Sequence, residues 1–154
     1  MPRPKARDAA VLLLAVFLGL AVGIGIFTFV YAHGASYLTN DPAACANCHV
    51  MNEEYGAWMK GPHHAVAVCN DCHTPHNVVA KYAIKARNGF WHSYYFTRGK
   101  FPEPIRITSL NRRVTEQACR RCHADMVQAL LAMDRGGEEL SCIRCHRGVG
   151  HANR

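Results

Sequence analysis

Apolar residues are concentrated in one unbroken stretch near the N-terminus, and the rest of the chain mixes short apolar and polar segments. Residues 9–32 carry no charge and are mostly apolar, and they follow a short basic segment, residues 1–8. A helix of this length reaches across the roughly 30 Å hydrocarbon core of a bilayer. The apolar region of a cleaved signal peptide is shorter, about 7–15 residues. The pattern therefore predicts an uncleaved transmembrane helix over residues 9–32. A cleaved signal is the alternative, because Ala32 to Ala35 resembles a cleavage site.

The basic residues around this span predict its orientation. Arg3, Lys5 and Arg7 precede the span, and the next basic residue is Lys60. Because positive residues stay on the cytoplasmic side, the N-terminus is expected in the cytoplasm and the remaining chain outside. Tyr37 lies where interfacial aromatic residues usually occur.

Small residues recur within the span. Gly19 and Gly23 form a G-x-x-x-G pattern, which allows two helices to approach closely. The pattern predicts that the anchor packs against another helix, for example that of a second copy.

Beyond the span, the periodicity is helical and interrupted by breakers. Residues 51–59, 77–96 and 112–134 have helical spacing, and residues 99–111 contain two prolines and read as a loop. Gly136-Gly137 is expected to end the last of these helices. No segment alternates with period two. The predicted fold is mainly α with much irregular coil and no substantial sheet: one transmembrane helix and one compact domain.

The cysteines indicate the chemistry of that domain. All eight occur in Cys-x-x-Cys-His motifs, and none is left over. This motif is typical of covalent c-type haem attachment, through thioethers to the two sulfurs. Tetrahedral zinc sites or disulfides are the alternatives. The four motifs predict four haem c groups, at Cys45/Cys48/His49, Cys69/Cys72/His73, Cys119/Cys122/His123 and Cys142/Cys145/His146.

The net charge of +7 changes this picture little. Each haem brings two propionates that basic residues must neutralise, and no basic run with interleaved aromatics predicts a nucleic-acid partner. The sequence therefore predicts a basic cytoplasmic N-terminus (1–8), an anchor (9–32) and a periplasmic tetrahaem domain (33–154) of a protein in the bacterial inner membrane. Much of the interior of that domain is expected to be porphyrin.

Candidate axial ligands outnumber what four haems need. The motif histidines supply four, and His64 and His151 stand out among the others because each lies five residues from a motif. Met51 follows His49 by two residues and competes with it for the first iron. Methionine ligation raises the potential relative to histidine. The first motif also begins soon after the span, so its haem is expected near the lipid headgroups, within reach of a quinol. The remaining spare candidates are His33, His63, His76 and His92.

Three segments resemble a known family. Residues 37–42, 45–51 and 81–89 are similar to the small tetrahaem subunits of periplasmic cytochrome c nitrite reductases. These subunits belong to the NapC/NirT group of membrane-anchored quinol dehydrogenases. The Cys-x-x-Cys-His-x-Met form of the first motif is the most specific sign, and the number and order of motifs extend the likeness over nearly the whole chain.

The resemblance implies a role for individual residues. Met51 would be the proximal ligand of the first haem and would displace His49, with quinol binding on the open face. His73 would bind the second iron, whose other ligand is a lysine of the catalytic partner. Lys85 matches a lysine near the quinol pocket. The third haem would take His123 and His151, and the fourth His146 and His64.

One position departs from the family pattern. Relatives have an aspartate near the open face of the first haem, where this chain offers Asn88 or, by an ungapped count, His92. Asparagine cannot accept a proton as a carboxylate can. Proton removal from quinol could then fall to Lys85, His92 or the Glu53/Glu54 pair.

The predicted function is that of a quinol-oxidising electron-transfer subunit, and not the nitrite-reducing subunit itself. It would pass electrons to a periplasmic multihaem reductase, in the first place nitrite reductase. Another periplasmic reductase, or reverse flow into the quinone pool, is the alternative within the group. The alternative from another class of protein is a self-sufficient haem reductase. The sequence argues against it, because it contains no Cys-x-x-Cys-Lys motif, the sign of a dedicated catalytic haem.

Overall fold

Helices form the secondary structure throughout the described chain. The computed structural model describes residues 5–133 and 140–151, and no strand occurs within those two ranges. The predicted fold class is confirmed. The α-helices are α1 (Ala6–Tyr31), α2 (Pro42–Cys45), α3 (Asn52–Met59), α4 (Cys69–His73), α5 (Val78–Thr97), α6 (Ser109–Cys122), α7 (Ala124–Met133) and α8 (Cys142–Cys145), and short 3-10 helices cover Gly34–Leu38, His49–Met51 and Pro62–Ala65.

Helix α1 begins three residues before the predicted span and covers all of it except the last residue, Ala32. Its most apolar window has a mean hydropathy of 2.8, so the helix is long and apolar enough to cross a membrane. Nothing lies within 4 Å of a Cβ placed on Gly19 or Gly23, so this face of the helix is open. The chain divides into two compact units, residues 1–36 and 37–154. The finer division at residues 8 and 32 stays a prediction.

Helix α5 begins and ends at sequence signals. The Asn77 side chain accepts a hydrogen bond of 3.1 Å from the Ala80 N–H, which satisfies one free amide of the first turn. At the other end Gly99 adopts a left-handed φ of +59° and donates its N–H to the Phe96 carbonyl. The helix therefore covers the predicted segment almost residue for residue.

The third motif divides what the sequence predicts as one helix. Thr108 caps α6 through the Asn111 N–H, so α6 begins inside the predicted loop. His123 leaves helical geometry at φ −109° and ψ 35°, and α7 starts directly after it. The predicted end of this segment at Gly136-Gly137 lies outside the described residues.

The protein core of the domain is small. Within the described residues, the buried apolar side chains are Ile84, Val114 and Ala118, accompanied by Thr74 and Lys85. Helix α4 packs on α6 around this core. A domain of this size needs a larger interior than three aliphatic side chains to be stable. The arrangement fits an interior completed by prosthetic groups.

Candidate haem and quinol sites

The four motifs lie next to one another in chain order. Helix α2 of the first motif contacts α4 of the second, α4 contacts α6 of the third, and α6 contacts α8 of the fourth. Each of these helices carries the first cysteine of its motif. Groups attached to the motifs would therefore form one continuous series.

The first motif differs from the other three in its backbone. Helices α4, α6 and α8 each contain both cysteines of a motif, whereas α2 ends at Cys45 and leaves Cys48 outside it. Cys48 lies in extended backbone, at φ −90° and ψ 117°. Its carbonyl accepts a hydrogen bond of 2.8 Å from the Met51 N–H, so it begins the next turn and does not continue α2. The five-residue pattern, which is the same in all four motifs, gave no sign of this difference.

The structure also separates the two sulfurs of a motif by their exposure. The polypeptide leaves Cys48, Cys122 and Cys145 exposed, whereas the first cysteine of every motif is half-buried. Cys122 and Cys145 are the last residues of α6 and α8, and Cys48 follows the end of α2, so each lies where its helix stops. Cys72 is half-buried because α4 continues past it and packs on α6. Haem attachment at Cys48 stays a prediction, at an exposed thiol outside a helix.

The cysteine sulfurs of neighbouring motifs lie close together. A hydrogen bond between the sulfurs of Cys45 and Cys69 lowers the pKa of Cys45 to about 7 and raises that of Cys69. Burial raises the pKa of Cys72, and the nearby Cys122 raises it further. None of the eight cysteines forms a disulfide. Neighbouring motifs thus bring their attachment sulfurs together.

A carboxylate joins the third and fourth motifs. Glu116 on α6 accepts hydrogen bonds from the Ser141 hydroxyl at 2.5 Å, the Cys142 N–H at 2.8 Å and the Ile143 N–H at 3.3 Å. Arg112 donates to the same Ser141 hydroxyl at 3.2 Å. Burial alone would raise the pKa of Glu116, but these hydrogen bonds outweigh it and lower the pKa. This interaction, which we call the Glu116 clamp, positions the start of α8.

The histidine and the methionine of the first motif differ in their exposure. His49 and Met51 open and close one turn of 3-10 helix. The His49 side chain is exposed, with its ring edge toward Phe96 at a centroid distance of 6.3 Å. Met51 is half-buried. Two side chains so placed cannot both approach one metal from the same side.

Two other motif histidines each face a further histidine. The rings of His73 and His151 are nearly parallel, with centroids 5.8 Å apart, and those of His63 and His123 are 6.2 Å apart. Burial, with the neighbouring His151, lowers the pKa of His73 to about 4, which keeps its imidazole neutral as a metal ligand must be. His151 also pairs with the Glu54 carboxylate at 3.2 Å.

These contacts differ from the pairing that the resemblance implies. The structure places His151 beside His73, and it places His63 beside His123. His64 packs edge-on against Trp58, with centroids 4.7 Å apart, and the indole N–H donates to the Ala67 carbonyl. His146 follows directly after α8 and is exposed. The predicted His146–His64 pair stays a prediction.

Lys85 is buried beside the first motif. It is 7% exposed, and its Nζ donates a hydrogen bond of 2.5 Å to the Thr39 carbonyl, which also accepts from the Asn70 amide at 3.1 Å. Burial, with the nearby Lys81, lowers the pKa of the Lys85 amine. A buried amine with a lowered pKa can exchange a proton with a ligand next to it.

The other two predicted quinol-site residues have different surroundings. The amides of Asn88 and Asn111 bond reciprocally, at 3.2 and 3.4 Å, and so join α5 to α6. Nδ1 of His92 lies 3.4 Å from the Tyr37 hydroxyl, and either ring tautomer can complete this bond. Burial lowers the pKa of His92. Burial also raises the pKa of Tyr37, and the nearby Cys48 of the first motif raises it further.

Sequence reasoning missed two of these contacts. Tyr37 was expected at the membrane interface, but its ring also packs on α5, where a Cβ on Gly89 would lie 3.3–3.5 Å from it. Glu116 was not singled out at all. Its spacing from the fourth motif carries no signal, although a glutamate three residues before Cys119 is a visible candidate for a contact near the attachment site.

The residues present fit covalent haem. Each motif supplies two free thiols and an adjacent imidazole, which are the groups that c-type attachment uses. The buried Nδ1 of His63 has no hydrogen-bond partner within the described structure, as suits a ring held for a ligand. Among residues 5–133 and 140–151, no group of three or more His, Cys, Asp or Glu is placed to hold a metal ion.

Comparisons with known proteins agree with this donor set. The chain is 37% identical over 146 residues to the cytochrome c-type protein NrfH of Wolinella succinogenes, covering 88% of this chain and 82% of that one. It is 32% identical over 151 residues to the cytochrome c nitrite reductase subunit NrfH of Nitratidesulfovibrio vulgaris, covering 98% and 91%. Together with α1, these similarities indicate a membrane-anchored protein.

A solved structure and a family model extend the likeness to the whole chain. The crystal structure of the cytochrome c nitrite reductase NrfHA complex bound to the HQNO inhibitor matches with a TM-score of 0.64 and 29% identity, over 87% of this chain and 88% of that one. The model of the NapC/NirT cytochrome c family, N-terminal region, matches residues 6–154. A cytochrome c of this family binds haem c covalently through its Cys-x-x-Cys-His motifs. This chain belongs to the NapC/NirT cytochrome c family.

Proposed function

We propose that this protein oxidises a membrane quinol at its first motif and passes the electrons through four haem c groups to a periplasmic multihaem reductase. The reductase that the similarities favour is the catalytic subunit of nitrite reductase, because relatives with this architecture carry that complex in their names. The reaction would then belong to the respiratory reduction of nitrite to ammonia. The chain itself is the electron-transferring subunit.

The observation that carries this proposal is the unbroken series of contacts between the motif helices. Because α2, α4, α6 and α8 touch in that order, each attached group has the next as its neighbour. One end of the series is the motif nearest to the apolar anchor in the chain, and the other lies near the C-terminus. This arrangement suits transport from a membrane donor to a partner outside the membrane.

Each motif would hold one haem through its two cysteines. Met51 would bind the first iron in place of His49, and His73, His123 and His146 would bind the second, third and fourth. His151 would complete the third and His64 the fourth. A lysine of the partner reductase would complete the second. The haem supplies one-electron chemistry, and the protein sets its potential through these ligands and through the dryness around them.

The quinol would bind beside the first motif. Lys85 is buried within electrostatic reach of Cys45, and His92 lies on the same helix. Both groups can hold a proton released by quinol oxidation. Asn88, the third predicted residue, would act by holding α5 on α6 through Asn111.

The anchor would be a single span in the bacterial inner membrane, with the N-terminus in the cytoplasm and the haem domain in the periplasm. Arg3, Lys5 and Arg7 support this orientation. The open face at Gly19 and Gly23 supports self-association of the anchor in the bilayer.

The full haem-loaded chain in liposomes tests the function. A naphthoquinol should reduce the haem absorbance bands, and nitrite should reoxidise them only after the nitrite reductase catalytic subunit is added. If only a different reductase reoxidises the haems, quinol oxidation stands as proposed but the partner is that other reductase. If an added oxidising enzyme instead reduces quinone through this chain, the electrons flow in the opposite direction, into the quinone pool. Nitrite turnover by the chain alone would favour a self-sufficient reductase.

A further inference from the structure

Residues 37–39, which we call the linker segment, run along one face of α5. The Tyr37 hydroxyl lies 3.4 Å from Nδ1 of His92, and the Thr39 carbonyl accepts the hydrogen bond from Lys85. Between these two contacts, the Tyr37 ring packs over Gly89. Lys85, Gly89 and His92 are spaced i, i+4 and i+7, so they share one side of the helix. The linker segment therefore contacts both ionisable residues of the proposed quinol site.

Gly89 is what allows the ring to lie so close. A Cβ at this position would lie 3.3 to 3.5 Å from three atoms of the Tyr37 ring. The shortest of these distances is below that of an ordinary van der Waals contact. The packing uses the ring of Tyr37 alone. The hydroxyl is not needed for it and is directed instead at His92, one turn further along the helix.

We propose that Tyr37 is a positioning residue for quinol oxidation, whose hydroxyl oxygen accepts the Nδ1–H of His92 and so leaves Nε2 free to take a proton from the quinol. The inference rests on the proposed function, since it assigns a partner to a residue of that same site. Of the two neutral tautomers of an imidazole, only the one protonated at Nδ1 offers a lone pair at Nε2. A fixed acceptor at Nδ1 selects that tautomer and also fixes the ring plane.

The proton transfer balances with groups already named. One quinol O–H bond breaks, an Nε2–H bond forms, and one electron leaves the quinol, for which the haem c held by the first motif would be the oxidant. His92 then carries both ring protons, and its Nδ1–H remains bonded to Tyr37. Loss of the Nε2 proton to water then returns the ring to the neutral tautomer that carries its proton at Nδ1, and the Tyr37 hydroxyl still accepts that Nδ1–H.

The surroundings of both groups suit these roles. Partial desolvation lowers the pKa of the exposed His92 ring and raises the pKa of the Tyr37 phenol, so the imidazole is neutral and can accept a proton while the phenol keeps its own. A hydroxyl that stays protonated still accepts the Nδ1–H through a lone pair of its oxygen.

A double-mutant cycle tests whether Tyr37 acts through His92. The haem-loaded full chain in lipid nanodiscs would be compared as wild type, Tyr37→Phe, His92→Gln and the double variant. Tyr95→Phe, an exposed tyrosine three residues beyond His92 on α5, is the matched control. Pyridine haemochrome content and the Soret band establish that each variant is loaded alike.

Two measurements are made on each variant. The first is kcat and KM for haem reduction by a naphthoquinol. The second, which needs no turnover, is the Kd of a hydroxyquinoline N-oxide, whose hydroxyl can bond to Nε2. Tyr37→Phe is expected to lower kcat about tenfold with little change in KM, and to weaken the inhibitor about fivefold, the effect of one hydrogen bond of about 1 kcal/mol. In the His92→Gln background, Tyr37→Phe is expected to change neither quantity further.

The outcomes separate this inference from the function on which it rests. Unchanged kcat and Kd in Tyr37→Phe, or losses that multiply in the double variant, would overturn the positioning role while leaving the quinol site in place. Normal quinol oxidation in both His92→Gln and Lys85→Met would overturn the quinol site itself. If Tyr37→Phe loads poorly, Gly89→Ala, which displaces the ring and keeps the hydroxyl, must lower kcat and weaken the inhibitor for the inference to stand.

Discussion

The backbone N–H of Cys142, in the fourth motif, donates a hydrogen bond of 2.8 Å to the carboxylate of Glu116, on the helix that ends in the third motif. The Ser141 hydroxyl and the Ile143 N–H reach the same carboxylate. One side chain thereby holds the start of α8 against α6. Because both helices carry attachment cysteines, the clamp bears on the distance between the last two haem sites.

Removing the carboxylate should destabilise the domain. In Glu116→Ala the Cys142 and Ile143 amides and the Ser141 hydroxyl lose a charged acceptor, so the free energy of unfolding is expected to fall by about 2 kcal/mol. Guanidinium denaturation of the full chain in detergent, followed by circular dichroism, measures it. Gln117→Ala, at an exposed neighbour on the same helix, is the control. Equal midpoints for the two variants would contradict the clamp.

The same carboxylate predicts a dependence of stability on pH. The pKa of Glu116 is lowered in the folded protein from its ordinary value of 4.5. The stabilisation by the charged form is therefore fully present above pH 4.5 and is lost as the pH falls through the folded pKa. The difference in unfolding free energy between wild type and Glu116→Gln should shrink below pH 4.5. A difference that stays constant or grows on acidification would show that the carboxylate is not stabilised in its charged form.

The first haem should depend on Met51 and not on His49. Met51 is half-buried, whereas His49 is exposed with its ring edge on Phe96. Met51→Ala is expected to change the high-spin signal of one haem in electron paramagnetic resonance and to abolish quinol oxidation. The other three haems should keep their spectra. If His49→Ala alone does this and Met51→Ala does nothing, the ligand assignment is wrong.

The second haem should be incomplete in the isolated chain. With a partner lysine as its other ligand, this haem should be high-spin or weakly ligated alone and become low-spin when the reductase is added. His151→Ala should then affect the third haem and leave the second unchanged. Magnetic circular dichroism of the isolated and complexed protein measures both effects.

The contact between His73 and His151 offers an alternative ligand for the second haem. Their ring centroids are 5.8 Å apart, so His151 could serve the second haem from within the chain. A second haem that is low-spin in the isolated chain, and becomes high-spin in His151→Ala, would replace the partner lysine by His151. His76→Ala, three residues past His73, tests in the same way whether that spare histidine serves the second iron.

Gly89→Ala separates helix stability from quinol chemistry. Alanine improves helix propensity by about 1 kcal/mol, but its Cβ would meet the Tyr37 ring at 3.3 Å. Quinol oxidation is expected to fall about threefold without loss of stability. Gly56→Ala, in α3 where nothing lies within 4 Å of the new Cβ, should leave quinol oxidation unchanged. A normal rate in Gly89→Ala would show that the position of the Tyr37 ring is not critical.

The sequence by itself determined what depends on neighbouring residues. The attachment motifs consist of five consecutive residues, so Cys45 and Cys142 could be assigned without a fold. The anchor and α5 followed from local composition and periodicity. The break at His123 was missed, because the helical pattern of residues 112–134 continues through it and only the backbone departs from the helix.

Tertiary structure decided what depends on residues far apart in the chain. Tyr37 meets His92 across 55 positions, and Glu116 meets Cys142 across 26. Loop closure and packing set such contacts, and nothing in the local pattern of either partner specifies the other. For the same reason the spacing of His151 from the fourth motif indicated a ligand, but only the fold placed its ring beside His73.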